Sequence, residues 1–158
     1  MSSKKASDEG VKLIAANRKA HHDYFIVEKL ETGIQLAGSE LRPCRENRVN
    51  LKDAYVDIDN GEMWLIGVHI GLNPFSNIQN HDPERKRKLL AHRYQIDKFG
   101  KKSMNTGMTV IPLRMYFKQG KVKVEIALAK GKTTYDKRDS IAKKDMKRDM
   151  DRELKARY

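Results

Sequence analysis

The chain of 158 residues is long enough for one domain of ordinary size with a real core plus an appendage, and too short for two full domains. Its 33 Lys and Arg against 21 Asp and Glu give a net charge of +12, which favours a polyanionic partner because neutralising phosphates releases condensed counterions. No stretch approaches the roughly 20 apolar residues of a spanning helix, which favours nucleic acid over a membrane surface. The polar start Met1-Ser2-Ser3-Lys4-Lys5 lacks an apolar signal segment, so the expected location is the cytoplasm. The single Cys44 excludes an internal disulfide and a multi-cysteine zinc site, and reads as a small buried side chain.

In chain order, residues 1–16 read as a flexible start with at most a short helix around Val11, Leu13 and Ile14. Asn17-Arg18-Lys19-Ala20-His21-His22-Asp23-Tyr24 reads either as a solvated basic lead-in or as a phosphate-contacting edge. A strand is expected over Tyr24 to Leu30, with a bend at Glu31-Thr32-Gly33 before residues 34–37. Ser39 is positioned to cap a short helical turn, which Pro43 keeps short. Asn47 is suited to a left-handed backbone. Asn60-Gly61 marks a hairpin between residues 54–58 and 62–70. Residues 71–82 form an aperiodic loop. Asp82-Pro83-Glu84 resembles a helix start, followed by Leu89, Ile96 and Phe99 on one face and a helix end at Gly100. The cations Arg85, Lys86, Arg87 and Lys88 near that start favour an anionic ligand.

The most strongly patterned stretch is Met108 to Arg138. Ile111, Leu113, Met115 and Phe117 alternate with Thr109, Arg114 and Lys118, while Val122, Val124, Ile126 and Leu128 alternate with Lys121, Lys123 and Glu125. Gln119-Gly120 supplies the turn. Tyr116 shares its side with Arg114 and Lys118, which places it on the wet face. From residue 130 onward, eleven Lys and Arg against six Asp and Glu leave a net charge of +5, and the remaining 129 residues carry +7. Ala142, Met146, Met150, Leu154 and Tyr158 step by four, a stripe too narrow to anchor a helix alone. The tail is therefore expected to be disordered alone and helical on a charged surface.

Three regions result: a flexible segment over 1–16, a folded domain over 17–129 and a basic tail over 130–158. The fold expected is mainly β with flanking helices, a small antiparallel OB-type barrel. Catalytic groups do not converge. Asp57, Asp59 and Glu62 surround a turn, where carboxylates are ordinarily solvated turn formers, and the five histidines lack metal-binding spacing. No cofactor is expected. Basic residues interleaved with Tyr24, Tyr94, Tyr116 and Tyr135 fit RNA better, since cations meet phosphates while aromatic faces meet unstacked bases.

An ordered set of short motifs carries a resemblance. These are Asn17-Arg18-Lys19-Ala20, His22-Asp23-Tyr24, Glu31-Thr32-Gly33-Ile34, Gly38-Ser39-Glu40-Leu41, Asn50-Leu51-Lys52-Asp53-Ala54-Tyr55-Val56 and Asp82-Pro83 ahead of Arg87-Lys88-Leu89-Leu90. Ala127-Leu128-Ala129-Lys130-Gly131-Lys132 and Asp136-Lys137-Arg138 complete it. Together they resemble the SsrA-binding protein family, from about Asn17 into the tail.

The resemblance implies a non-catalytic OB-fold adaptor that binds the tRNA-like domain of transfer-messenger RNA and stands in for its missing anticodon arm. It would act as a monomer at the decoding centre of a stalled ribosome, with its tail in the vacant mRNA channel. Elongation factor Tu and alanyl-tRNA synthetase are implied as indirect partners, and tagging of the nascent chain as the outcome. By position, Glu31, Leu90 and Lys123 match the RNA-binding surface, Asn17, Lys19, His22 and Arg45 are its expected neighbours, and Lys130 and Lys132 continue the basic edge. Tyr135, Asp136, Lys137 and Arg138, then Lys143, Lys144, Lys147 and Arg148, would contact ribosomal RNA. The sequence departs from the family at Tyr135, where members place histidine, at Pro43-Cys44, and at Asn47, where glycine is common. Competing readings are a generic single-strand-binding module, a metal-dependent nuclease and a module that binds an acidic protein.

Overall fold

A computed structural model describes residues 10–75, 80–105 and 107–157. Among these the order is β1 (Val11–Ala16), α1 (Ala20–Asp23), β2 (Tyr24–Ile34), α2 (Gly38–Arg45), β3 (Val49–Asn50), β4 (Tyr55–Asp59), β5 (Glu62–Ile66), β6 (His69–Ile70), β7 (Arg87–Leu90), α3 (Arg93–Ser103), β8 (Met108–Lys118), β9 (Lys121–Gly131) and α4 (Thr134–Arg157). The two expected hairpins form. Asn60 and Gly61 take φ of 49° and 73°, and Gln119 and Gly120 take 52° and 73°, the left-handed pairs whose twist suits paired strands.

Seven antiparallel strands pair in the order β1-β8-β9-β2-β7-β5-β4, while β3 and β6 form a separate pair. The sheet is open, not the closed OB-type barrel expected. It curls enough for β4 to lie against β8, but among the described residues no ladder joins the two: β8 pairs with β9 along its length and with β1 over residues 114–118. Side chains therefore complete the wrap: Ile14 of β1, Val56 of β4, Ile96 and Phe99 of α3, and Val122, Val124, Ile126 and Leu128 of β9 share one core.

Several local expectations change. Val11–Ala16 is a strand on the edge of β8, not a flexible or helical start; a register shift between Leu13 and Ala15 breaks its alternation and hides it from a period-2 reading. Residues 1–9 lie outside the described residues. β2 runs unbroken through Glu31-Thr32-Gly33, and its irregularity falls between Ile26 and Glu28. In β8 a shift between Pro112 and Arg114 flips the pleat. Ile111 and Leu113 consequently join Ala20, Ala127 and Ala129 in a second cluster, while Met115 stays in the main core.

The helix expected from Asp82 begins ten residues later. Arg87–Leu90 is a strand, α3 starts at Arg93 with the Gln95 side chain accepting from the His92 N–H at 3.2 Å, and Gly100 lies inside it. Ser39 does not cap α2. Its hydroxyl meets His81 Nδ1 at 2.9 Å, and the Ala37 N–H donates to Glu40 Oε1 at 3.1 Å instead. Pro43 sits in the second half of α2, beyond the first turn to which the sequence confined it, and Asn47 takes the expected left-handed φ of 58°.

Candidate nucleic-acid interface

Register across four strands builds the central surface. Cα partners run Tyr116–Lys123–Gly33–Leu90 across β8, β9, β2 and β7. Glu31, two residues before Gly33 on β2, shares its face by the pleat. Gly33 carries no side chain, and a Cβ built there would lie 3.3 Å from Leu90 Cβ. The gap between Lys123 and Leu90 is therefore part of the backbone design. Glu31, Gly33, Leu90, Ala91, His92, Gln95 and Lys123 line a depression of about 420 Å³ there.

Tyr116 lies on this side but is not wet. It is 2% exposed, roofed by Arg114, whose guanidinium carbon lies 4.8 Å from the ring centre, and its hydroxyl donates to Glu31 Oε2. Lys118 Nζ approaches the same carboxylate at 3.4 Å. The Tyr116 hydrogen bond, then Lys118, hold the Glu31 pKa below its usual range, while burial and then Glu31 push the Tyr116 phenol up. Glu31 is thus an ionised acceptor with both oxygens oriented beside Lys123 and exposed Leu90. That set offers an acceptor, an apolar surface and a cation within one patch, the chemistry that a donor edge, a base or sugar face and a phosphate would meet.

The other predicted residues do not join this patch. Asn17 and Lys19, with Asp23, Tyr24, Asp53, Tyr55 and Thr109, line a second depression of about 330 Å³. Tyr24 begins β2 and Glu31 lies near its end, a separation of about 23 Å along the strand. The Asn17 amide donates to Pro112 O at 3.1 Å, and exposed His22 meets Asp23 Oδ1 at 2.9 Å. Lys130, one residue before the end of β9, lies opposite Phe25, and Lys132 follows the strand. Arg45, exposed at the end of α2, lines neither depression. One expected RNA surface is therefore two clusters at opposite ends of β2 and β9, with Arg45 apart.

The cation run before β7 is also redirected. Arg87 is fully buried against Glu40, which is equally buried, and donates to the carbonyls of Val68 at 2.9 Å and Pro83 at 3.0 Å; Arg85 pairs with the same carboxylate. Burial pushes the Glu40 pKa up, but hydrogen bonds from Arg87, Ala37 and Arg85 outweigh it, and the net shift is downward. Lys88 pairs with Glu62 at 3.2 Å. For Arg85 and Arg87 the anion is internal, while Lys88 answers a partly exposed surface carboxylate. Around the Asn60-Gly61 turn, Asp57 faces Trp64 across the ladder and Glu62 is engaged by Lys88; among the described residues no three His, Cys, Asp or Glu group to hold a metal. Cys44 is fully buried, and burial pushes its thiol up to about 11.

α4 carries Tyr135, Asp136, Lys137, Arg138, Lys143, Lys144, Lys147 and Arg148 on a helix with no buried residue. Met146, Met150 and Leu154 are 56–67% exposed, and Tyr158 lies outside the described residues. No described helix is long and apolar enough to cross a membrane.

Residues 14–156 match the family described as SmpB protein. The chain belongs to the SmpB family. The SsrA-binding protein of Symbiobacterium thermophilum is 53% identical over 92% of this chain and 92% of its own, and that of Acetivibrio thermocellus is 49% identical over 95% and 97%. A solved chain described as "tmRNA-SmpB: a journey to the center of the bacterial ribosome" is 34% identical, with a TM-score of 0.66, and covers 80% of this chain and 93% of that one. In this SmpB-family chain, sequence reasoning missed Gly33 as the gap-former, Tyr116 as the orienter of Glu31, and the His92–Gln95 rim. Only the strand register brings these together, and of its three pairings only β8–β9 had a local signal, the Gln119-Gly120 turn.

Proposed function

We propose that this chain is the RNA-binding adaptor of trans-translation, and that the patch of Glu31, Leu90 and Lys123 binds the tRNA-like domain of transfer-messenger RNA. The observation that carries the reading is the oriented Glu31 carboxylate beside Leu90 and Lys123 over the Gly33 gap, which offers a polar acceptor, an apolar contact and a cation to one nucleotide. The curled sheet plays the part of an OB-type fold, with packing between β4 and β8 in place of a closing ladder.

The other end of β2 and β9, with Asn17, Lys19, His22, Lys130 and Lys132, faces the ribosome at the decoding centre, where the protein stands in for an anticodon arm. Tyr135 to Arg138 and the cations Lys143, Lys144, Lys147 and Arg148 follow the vacant mRNA channel. With no burial to support it, α4 is marginal beyond its first turns and is completed on the polyanion. Arg45 contributes to neither end beyond general charge. The protein makes no bond itself, works in the cytoplasm as a monomer, and meets elongation factor Tu and alanyl-tRNA synthetase only through the RNA.

The test is reconstitution: ribosomes stalled on truncated mRNA, alanine-charged transfer-messenger RNA with elongation factor Tu, and this chain. Tag addition that depends on the chain is expected, and a Lys123→Ala, Leu90→Ala double variant should lose most of it. Tagging at the same yield without the chain would overturn the reading.

A further inference from the structure

The first turns of α4 are tied to the sheet by a set of polar contacts that nothing in the recognition patch requires. The Thr133 N–H and hydroxyl both donate to Asp136 Oδ2, at 3.2 and 2.8 Å, and the Asp136 N–H returns to Thr133 Oγ1 at 3.3 Å. This reciprocal cap fixes where the helix starts. It does not fix where the helix points.

Direction comes from two other residues. Lys137 Nζ lies 3.3 Å from Asp23 Oδ1, the oxygen that also meets His22, so the last residue of α1 holds the first turn of α4. Lys132 works from the other side: its N–H donates to Asp23 O at 2.8 Å, and its ammonium donates to His21 O and to Ser140 Oγ, each at 2.9 Å. Ser140 in turn donates to Asp136 O at 3.0 Å, and the Lys132 ammonium also lies 5.0 Å from the Phe25 ring centre. Two lysines on either side of the cap thus grip one short segment, His21 to Asp23. Past Ser140 nothing in α4 is buried, so its bearing is set in these first turns, by these contacts among the described residues.

We propose that Asp23 and Lys132 are positioning residues that latch the tail helix to the sheet and set its exit direction, and that Lys137 is a member of this latch. Two of the tail and edge cations expected to meet RNA are then held by the protein itself. The latch stands on the contacts above; its value for aiming the tail on the ribosome rests on the proposed function.

The experiment places spin labels on the full chain at Lys121→Cys, the exposed first residue of β9, and at Asp139→Cys, exposed in the second turn of α4 and within the latched segment; Cys44, fully buried, stays in place. Pulsed dipolar spectroscopy without RNA should give one narrow distance distribution. Asp23→Asn and Lys132→Met should each widen it at least about twofold, with thermal midpoints unchanged within a few degrees. The reversed pair Asp23→Lys with Lys137→Asp should narrow it again. An unchanged width in Asp23→Asn or Lys132→Met removes that residue from the latch, and a reversed pair that stays wide refutes the Asp23–Lys137 contact. A distribution already wide in the unaltered chain refutes the proposal entirely. Because no RNA is present, these outcomes are independent of whether the chain supports tagging.

Discussion

Glu40 and Glu31 are both glutamates that gather cations, yet one is sealed inside the protein and the other is left on its face. Around Glu40 two arginines and the Ala37 amide exhaust the carboxylate, and the flanking guanidinium donors go to carbonyls. Around Glu31 a tyrosine fixes the carboxylate, but the side chain remains 40% exposed and Lys123 and Leu90 stay open beside it. The difference teaches that a cation run does not declare its own partner. Arg85 to Lys88 is the denser cluster in the sequence, and its arginines serve the core; the sparser lysines on β9 are the ones left open on the surface.

That contrast can be broken most severely at its buried half. Arg87→Met strands an ionised Glu40 without its principal partner, and urea denaturation should show a loss of about 3–5 kcal/mol. Next in size, Leu90→Ala should weaken binding of a folded tRNA-like RNA about tenfold, roughly 1.4 kcal/mol, with stability little changed because the side chain is half exposed. Tyr116→Phe should cost about 1 kcal/mol, since the hydrogen bond it removes ends on a partly solvated carboxylate.

Protonation sharpens the comparison further. Both folded pKa values lie below the ordinary glutamate value of 4.5, so each ionised carboxylate stabilises the fold above that pH and the contribution fades as pH falls through the depressed values. Stability measured from pH 6 down to pH 2 should therefore decline below about pH 4.5. Glu31→Gln should flatten the decline slightly, by well under the effect at Glu40. Smallest of all, replacing Met146, Met150 and Leu154 together by Ala should move body stability by no more than about 0.5 kcal/mol, because α4 buries nothing.

Much of the fold was legible where local chemistry decides it. The two left-handed turns at Asn60-Gly61 and Gln119-Gly120 and the alternation of Val122 to Leu128 all form as read. Reading failed where one residue of slippage inverts a face: the shift in β1 hid a strand, and the one after Pro112 sent Ile111 and Leu113 to the opposite side from Met115. It failed again where charge turned inward, since Asp82-Pro83 ahead of four cations looks like a capped helix until Glu40, 45 residues from Arg85 in sequence, claims Arg85 and Arg87. The candidate residues were named from resemblance. Their division between two ends of β2 follows only from the register.

Under the proposed function the sheet face recognises the folded RNA and the tail does not. The direct measurement is the affinity of the full chain for a folded tRNA-like RNA and for an unstructured RNA of equal length, across salt, in Lys123→Ala and in a variant with Lys143, Lys144, Lys147 and Arg148 all changed to Gln. The tail variant should keep its preference for the folded RNA, while Lys123→Ala should lose much of that preference and about 0.7–0.9 from the salt slope. A tail variant that binds both RNAs equally, beside a Lys123→Ala variant that behaves as the unaltered chain does, would contradict it.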